Sequence, residues 1–262
     1  MPELPEVQTI LNAISPFLMG KQVVIKPLSN TLRTVVELPL IKGTVHSLKR
    51  RGKAIILKVG DHYALLHFGF GLMRQSATDD YQQHRHDLLL IVAGKHSFTL
   101  HDRRRFGFYH LLKSDPTPIL DSKWGVEPLT AEFNSQYLYD ATRNRRIPIK
   151  KLLMEAKVVT GIGNIYANEV CFQCKLNPLH PACQINLAMA DNLVAASKQI
   201  LKKAIELKGT TVQDYLTPDG KKGKNYQLCK VYRRQSCGAC GAKISSSKAT
   251  GQTTYYCPVC QI

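Results

Sequence analysis

The sequence has no long hydrophobic run. Its longest apolar stretch, DLLLIVAG at 87–94, is far shorter than the roughly 20 residues that span a bilayer. The amino terminus is acidic and carries no apolar segment of the kind found in secretory signals. There is no basic amphipathic helix, no internal repeat, and no glycine motif for binding a phosphate or a dinucleotide. We therefore expect a cytoplasmic protein that stays off membranes and uses no nucleotide cofactor.

Acidic residues are also scarce. The 262 residues include 36 Lys and Arg against 19 Asp and Glu, which gives a formal net charge of +17. Solvated surface charge accounts for only a few units, so this excess indicates a polyanionic partner, most often nucleic acid. Hydrophobic residues make up 44%, which suffices for packed cores and excludes global disorder.

Apolar periodicity divides the chain into a β-rich half and a helical half. Residues 3–18 have helical spacing, and residues 21 to about 112 form short strands broken by Gly, Asp and Asn. Residues 113–130, rich in Pro and Asp, resemble a linker, and residues 208–236 a basic loop. The clearest later helices are predicted at 149–156, 163–174 and 187–207. The pattern predicts an α+β protein with an N-terminal β-sandwich that carries one helix.

The cysteines point to a metal site. In a reducing compartment eight cysteines favour metal binding over disulfides. Cys237 and Cys240 form one C-x2-C knuckle, and Cys257 and Cys260 form a second one 16 residues later. Four thiolates at this spacing can enclose one tetrahedral ion, for which Zn²⁺ is expected. Such a closed site is structural, and metal binding would supply the folding energy of this short segment.

A second C-x2-C pair, Cys171 and Cys174, lies inside a predicted helix. No other pair follows at a suitable spacing, so we interpret both as helix-packing residues. A second metal site completed by Cys183 or Cys229 is the alternative.

The first residues, MPELPE, contain one feature that helix formation leaves unexplained. Pro5 and Glu6 suit the first turn of a helix, but helix formation gives no reason for Pro2 and Glu3. Methionine aminopeptidases remove Met1 before a small residue such as proline, which would free the secondary amine of Pro2. An α-amino group of pKa roughly 7.7–8.0 can attack an aldehyde-like carbon, and a secondary amine then gives a cationic iminium. Glu3 could donate or accept the proton.

Eight motifs in order resemble one known family nearly end to end: PELPEV, LKRRGKAIIL, HFGFG, DRRRFG, WGVEPL, GIGNIYANE, GTTVQDYL and YYCPVCQ. The family is that of formamidopyrimidine-DNA glycosylase and endonuclease VIII. The resemblance implies a monomeric base-excision-repair glycosylase and AP lyase acting on double-stranded DNA with oxidised bases or abasic sites. It also implies three domains: a catalytic β-sandwich domain, a helix–two-turn–helix domain and a C-terminal zinc finger, at 1–120, 121–227 and 228–262.

The resemblance assigns chemical roles to three residues. Pro2 attacks C1′ of a nucleotide whose base has been flipped out of the stack, and β- and δ-elimination then cut the strand. Glu3 is the acid acting at the sugar and base. Lys53 contacts the lesion phosphate and assists β-elimination.

Further residues match DNA contacts of the family. Arg104 and Phe106 fill the gap left by the flipped nucleotide. Phe106 acts as an aromatic wedge, and the guanidinium of Arg104 can hydrogen-bond the orphaned base. Asn164 is expected to cap a helix whose N–H groups hold a phosphate. The contacts to the DNA backbone are His67, His84 and Arg145.

The sequence departs from the family pattern at several positions. Gln252 stands at the position of a family arginine that binds the lesion phosphates and takes part in δ-elimination. We therefore expect weaker phosphate binding and slower δ-elimination. Lys248 could substitute. Phe70 replaces the methionine that fills the void, which should alter the preference for the opposite base. Arg103 replaces a proline, which should change loop stiffness and add charge with little effect on the chemistry. Arg233 replaces a glycine.

The segment 209–232 resembles the formamidopyrimidine branch, which favours oxidised purines such as 8-oxoguanine and formamidopyrimidines. One alternative is an endonuclease VIII-like glycosylase for oxidised pyrimidines. Another is a lesion-binding protein with impaired δ-elimination, which Gln252 supports. A zinc-ribbon transcription factor would explain only the last 30 residues.

Overall fold

The computed structural model describes all of residues 1–262, which form two compact units. Each unit is built from two segments of the chain: Met1–Asp121 with Leu207–Lys224, and Ser122–Glu206 with Asn225–Ile262. The three-domain division made from the sequence stays a prediction. The compact units differ from it because residues 207–224 join the first unit.

The first unit contains one helix, α1 (Leu4–Leu18), and nine strands. The strands are β1 Gln22–Pro27, β2 Val35–Val36, β3 Ile41–Arg51, β4 Ala54–Val59, β5 His62–His67, β6 Leu72–Ala77, β7 Asp87–Ala93, β8 His96–His101 and β9 Phe108–Leu112. They are hydrogen-bonded in the order β2-β9-β5-β4-β3-β1-β7-β8-β6. All pairs are antiparallel except the short parallel pair of β2 with β9.

The long strand β3 joins the two halves of this sheet. It pairs with β1 at one end and with β4 at the other, and its register shifts between Val45 and Ser47. Apolar residues of α1 and of strands from both halves form a single buried cluster. The predicted β-sandwich with one N-terminal helix is thus confirmed, as one continuous sheet whose halves enclose a common core.

The second unit is mainly helical. Its elements are α3 Ser135–Thr142, α4 Ile149–Leu153, α5 Asn164–Gln173, α6 Leu187–Glu206, 3-10 turns at Ala182–Gln184 and Asn225–Leu228, and an antiparallel hairpin of β10 Ser245–Ser247 with β11 Thr254–Tyr256. Helix α6 packs against α3 and α5. No helix in the molecule has the combination of length and apolarity needed to cross a bilayer.

Two helices were missed by the sequence patterns. Helix α2 (Thr117–Lys123) lies in the predicted linker, where its start is fixed by the Thr117 N–H donating to Asp115 at 2.8 Å. Prolines suggest a linker, but they also suit the first turn of a helix. The backbone N–H groups of that turn have no acceptor within the helix, so a residue without an N–H fits there. Helix α3 is capped by Asn134, whose side chain accepts the Tyr137 N–H at 2.9 Å.

Candidate active site and DNA-contact residues

The amino terminus is built around two buried carboxylates. Glu3 is the N-cap of α1 and is 3% exposed, and Glu6, one turn later, is 1% exposed. The Glu3 N–H donates to one oxygen of Glu6 at 2.8 Å, and the Thr210 N–H donates to its other oxygen at 2.7 Å. Glu6 therefore ties the start of α1 to the 207–224 segment. The sequence predicted only a first-turn role for this residue.

The chain's α-amino group and Lys53 lie within electrostatic range of these carboxylates. Burial lowers the pKa of the Met1 amino group below its usual value of 8.0, while Glu3 and Glu6 oppose the shift and Lys53 and Arg104 add to it. Burial likewise lowers the pKa of Lys53 against the opposing pull of the two carboxylates. The predicted catalytic residues Pro2, Glu3 and Lys53 are thus gathered in one partly desolvated place.

A tight turn positions Lys53. Strand β3 ends at Arg51 and β4 begins at Ala54, so Gly52 and Lys53 form a two-residue hairpin loop. Gly52 has φ +56°, the left-handed conformation that such loops require. The sequence RRGK therefore places its lysine at the end of the hairpin.

Three predicted DNA-gap residues form one exposed cluster. The rings of Phe70 and Phe106 meet edge to face with centroids 5.4 Å apart. The Arg104 guanidinium carbon lies 3.9 Å from the Phe70 centroid and 5.4 Å from that of Phe106. Phe70 is 36% exposed and Phe106 50%, so apolar rings and a cation are presented to solvent together.

The two loops that carry this cluster are locked to each other. Buried Asp102 accepts the Arg104 N–H at 2.9 Å and the Gly107 N–H at 2.6 Å, which closes the second loop. Gly69, at φ +57°, packs so tightly on the other loop that a Cβ there would overlap the Gly107 nitrogen. Only glycine fits this contact, so the glycine of HFGF is needed for packing.

The two predicted backbone-contacting histidines have different surroundings. The ring of His67, at the end of β5, stacks on Phe108 with centroids 4.7 Å apart. Burial, helped by Lys53 and Arg33, lowers the pKa of His67 to about 4, so its imidazole is neutral at pH 7. His84 is exposed.

Buried Asp87 organises the chain around His84. One of its oxygens accepts the His84 backbone N–H at 2.8 Å, and the other lies 2.8 Å from His101 Nδ1. The ring of His84 lies within 5.3 Å of those of His86 and His101, measured between centroids. This histidine group was not predicted, and only the clustering of His and Asp at 84–87 hinted at it.

In the second unit, Arg145 is already paired with a carboxylate. Its guanidinium lies 2.6 Å from Glu155, and both side chains are partly exposed. A DNA phosphate would have to share or displace this partner.

The expected capping role of Asn164 is wrong. Gly163 is the N-cap of α5, and no side chain caps it. The Asn164 amide instead donates to the Thr253 carbonyl at 3.1 Å. Asn168 Oδ1 accepts the Tyr255 N–H at 2.8 Å. Helix α5 thus uses both asparagines of GNIYAN to hold strand β11 and the residue before it.

The hairpin loop with Gln252 is fixed by a buried lysine. Lys150 of α4 is 0% exposed and donates to the hydroxyls of Thr254 at 2.9 Å and Thr250 at 3.3 Å. The Thr250 hydroxyl in turn donates to the Gln252 carbonyl at 2.9 Å. The Gln252 side chain itself is exposed. Sequence reasoning missed Lys150 because the adjacent Lys151 looks equivalent.

The four C-terminal cysteines converge as predicted. Their sulfur atoms all lie within 4.8 Å of one another, with Cys237–Cys260 at 3.9 Å and Cys240–Cys257 at 3.5 Å. Disulfides would need about 2.05 Å. The cluster can therefore hold one metal ion. Cys171 and Cys174 are not part of such a cluster; burial raises the pKa of Cys174 to about 11 and that of Cys171 still further.

A cavity of about 870 Å³ opens beside the edge strand β6 of the first unit. Its walls come from β6, from His101 and from Leu216–Gly220, and its polar groups include Gln75, Ser76 and Thr217. The Gln75 N–H donates to the Pro218 carbonyl at 3.1 Å, so one backbone hydrogen bond attaches the 216–220 segment to the sheet edge.

Comparison with known proteins gives a consistent result. Residues 1–109 match the family model of the formamidopyrimidine-DNA glycosylase N-terminal domain, and residues 124–215 that of its H2TH domain. The formamidopyrimidine-DNA glycosylases of Pasteurella multocida and Vibrio cholerae are 39% and 36% identical, over 100% of this chain and 99% and 100% of their own.

Solved structures agree with these matches. A Lactococcus lactis Fpg variant in complex with Fapy-dG-containing DNA has TM-score 0.88 at 29% identity, covering 99% of both chains. MutM (Fpg) from Thermus thermophilus has TM-score 0.86 at 29% identity, covering 99% of this chain and 98% of its own. The class of protein is therefore a DNA glycosylase, a DNA-binding enzyme of DNA repair. The chain belongs to the formamidopyrimidine-DNA glycosylase family, as its motifs predicted.

Proposed function

We propose that this protein is a bifunctional glycosylase and AP lyase that removes oxidised purines through a Schiff base on Pro2. The observation that carries the proposal is the partly desolvated α-amino group beside Glu3, Glu6 and Lys53. After Met1 is removed, the same burial favours the neutral, nucleophilic form of the Pro2 amine.

The reaction needs one nucleophile and several proton transfers. The Pro2 nitrogen bonds to C1′ while the glycosidic bond breaks, and the base leaves with that electron pair and gains a proton. The sugar ring opens, with Glu3 supplying the proton to its oxygen, and leaves an iminium. Loss of the C2′ proton expels the 3′ phosphate, a step that Lys53 assists, and a second elimination expels the 5′ phosphate.

An oxidised purine is the proposed substrate because of the cavity at β6. Its volume lies within the ordinary range of ligand sites, and its amide, hydroxyl and backbone groups suit the polar edge of a purine. A relative crystallised with Fapy-dG-containing DNA supports this choice. We propose that the protein acts as a monomer on double-stranded DNA, in the cytoplasm with the nucleoid.

Borohydride trapping on defined duplexes tests this function, since borohydride reduces an iminium to a stable link. We expect trapping on 8-oxoguanine opposite cytosine and on an abasic site, and weaker trapping on an oxidised pyrimidine. A variant with one extra residue before Pro2 is the matched control and should not trap. Preference for the pyrimidine lesion would favour the endonuclease VIII-like alternative.

A lesion-binding protein with impaired δ-elimination is the second candidate. The exposed, uncharged Gln252 supports it, because a glutamine lacks the cationic fork that grips two phosphate oxygens. Trapping with a β-elimination product but no δ-elimination product would establish impaired δ-elimination, and binding to lesion duplexes without any trapping would establish a lesion-binding protein that lacks the Schiff-base step.

We propose Zn²⁺ as the ion of the cysteine cluster. A tetrahedral zinc with Zn–S bonds of about 2.3 Å places its sulfur atoms about 3.8 Å apart, close to the observed separations. Cys237, Cys240, Cys257 and Cys260 would hold it, and its contribution is to the folding of this segment. Elemental analysis should find one zinc per chain, and iron instead would contradict the assignment.

A further inference from the structure

A cavity of about 310 Å³ in the second unit is lined by none of the residues assigned to catalysis or DNA contact. Its walls come from the second half of α5, from the later half of α6 and from the turn at 225–230. The side chains of Phe172, Ile200 and Leu228 form its apolar part. Leu228 is 48% exposed, so a large part of this apolar surface is left to solvent.

The turn that forms one wall is fixed to helix α5. The buried carboxylate of Glu169 accepts three consecutive backbone N–H groups, those of residues 230–232, at 2.7 to 3.1 Å. The Arg234 guanidinium donates to the carbonyls of Cys229 at 3.1 Å and Tyr226 at 2.6 Å, which closes the turn on itself. The cavity therefore exists before a ligand arrives, and this lowers the entropy cost of binding.

The rim of the cavity is cationic. Apart from buried Glu169, whose oxygens are occupied by backbone donors, the charged side chains of the lining are Lys203 and Lys230. The exposed ammonium of Lys230 has no acidic partner. Lys203 lies 2.9 Å from Glu206 in an exposed pair, which a ligand carboxylate can replace at little cost. The lining thus suits an apolar group that has an anionic group beside it.

We propose that this cavity is the docking site of a short, extended acidic peptide from a partner protein. An apolar side chain of the peptide packs against Phe172, Ile200 and Leu228, and a flanking carboxylate binds Lys230. The cavity admits one bulky side chain, but a helix about 10 Å wide is too large for it. A nucleic acid strand needs a row of cations and exposed aromatic faces, whereas this lining has two lysines and no arginine.

The position of the cavity leaves the predicted DNA contacts of the second unit free. Asn164, a predicted DNA contact, is the first residue of α5, and Gln173 of the cavity wall is the last. The two lie about 13 Å apart along the helix axis. We therefore expect the peptide and DNA to bind at the same time, and the proposal does not depend on the lyase chemistry.

Fluorescence anisotropy with the full chain tests the proposal. The probes are labelled hexapeptides with a central Phe-Leu, Leu-Leu or Ile-Phe pair flanked by Asp and Glu. We expect saturable binding that persists in the presence of a saturating duplex with a tetrahydrofuran abasic analogue. Leu228→Ser should lower the affinity about tenfold, the scale of burying part of a leucine side chain. Leu187→Ser, at another leucine that is 48% exposed, is the matched control and should leave the affinity unchanged.

Two further comparisons separate docking from a general attraction to a chain of net charge +17. Lys230→Gln should weaken binding about two- to fivefold at low salt and less at high salt, whereas Lys202→Gln, at an exposed lysine outside the cavity, should not. Peptides whose apolar pair is replaced by serines should not bind.

Four results would overturn the proposal: no saturable binding of any peptide in the panel, equal binding of the serine peptides, equal losses in Leu228→Ser and Leu187→Ser, or displacement of the peptide by the duplex. The last result would assign the cavity to the DNA-binding surface instead. Borohydride trapping should be unchanged in Leu228→Ser. Peptide binding without any trapping would refute the proposed function alone, and trapping without peptide binding would refute this proposal alone.

Discussion

His67 illustrates how a residue at a predicted DNA-contact position can be neutral at pH 7. Its burial beside Lys53 and Arg33 lowers its pKa to about 4, against 6.5 for a free histidine. A contact with DNA phosphate at pH 7 would therefore be a neutral hydrogen bond. Substituting His67 should not change the salt dependence of binding.

The same shift makes stability depend on pH. The unfolded chain takes up this proton below about pH 6.5, while the folded chain does so only below about pH 4, so falling pH between these values destabilises the fold. In His67→Gln the loss of unfolding free energy between pH 7 and pH 4 should shrink by about 2–3 kcal/mol. Urea unfolding at both pH values measures this, with the exposed His46→Gln as control; equal losses in wild type and His67→Gln would contradict it.

Substituting Gln252 should change how much of the cleaved strand undergoes δ-elimination. Gln252→Arg restores a cationic fork on a loop already fixed by Lys150 and Thr250. We expect a larger fraction of δ-elimination product from an abasic duplex and a salt slope steeper by about one phosphate contact. Gln227→Arg adds the same charge at another exposed position of the second unit. If both variants change the products equally, the role assigned to position 252 is wrong.

Among the structural elements, helix α1 depends on the Glu6 carboxylate more strongly than the sequence suggested. Glu6 accepts N–H groups from Glu3 and from Thr210, which lies 204 residues away. In Glu6→Ala both buried donors lose this acceptor, at a cost of about 1–3 kcal/mol each.

We therefore expect Glu6→Ala to lower the unfolding free energy by about 2–6 kcal/mol in a urea titration. Borohydride trapping should weaken with it, because the N-cap residue Glu3, which follows the proposed nucleophile Pro2, loses its anchor. Glu206→Ala removes an exposed pair with Lys203 and should cost less than about 1 kcal/mol. Equal unfolding free energies for the two variants would contradict the role of Glu6 in tying the start of α1 to the 207–224 segment.

Periodicity predicted the long elements well and the short ones poorly. Helices expected at 163–174 and 187–207 occur as Asn164–Gln173 and Leu187–Glu206, because each has apolar residues to bury. Helices α2 and α3 depend on local hydrogen bonds to Asp115 and Asn134, which leave little apolar pattern.

The features of the candidate site also divide into local ones, which the sequence predicted, and ones that depend on distant segments, which it missed. Cysteine spacing predicted the metal cluster because a C-x2-C knuckle is local. The roles of Glu6, Asp87 and Lys150 depend on contacts between distant segments, which the residue type does not disclose. The motifs located Phe70, Arg104 and Phe106, but their mutual stacking required the packed glycines of two loops.

For the whole molecule, charge is the dominant feature. A net charge of +17 should make DNA binding fall steeply with salt, because each neutralised phosphate releases counterions. With five or more phosphate contacts, log K against log salt should have a slope of about −4.5 or steeper. Titrations of an abasic-analogue duplex between 50 and 200 mM salt, roughly the range in which this effect is large, measure it. A nearly flat line would contradict binding through the phosphate backbone.

The central claim is that the nitrogen of Pro2 forms the covalent link to the damaged nucleotide. The most direct measurement is peptide mass spectrometry of the borohydride-trapped complex after nuclease and protease digestion. The account predicts a single modified peptide that begins at Pro2 and carries the reduced sugar on its terminal nitrogen. A sugar attached to Lys53 or another lysine, or to a peptide that still begins with Met1, would contradict it.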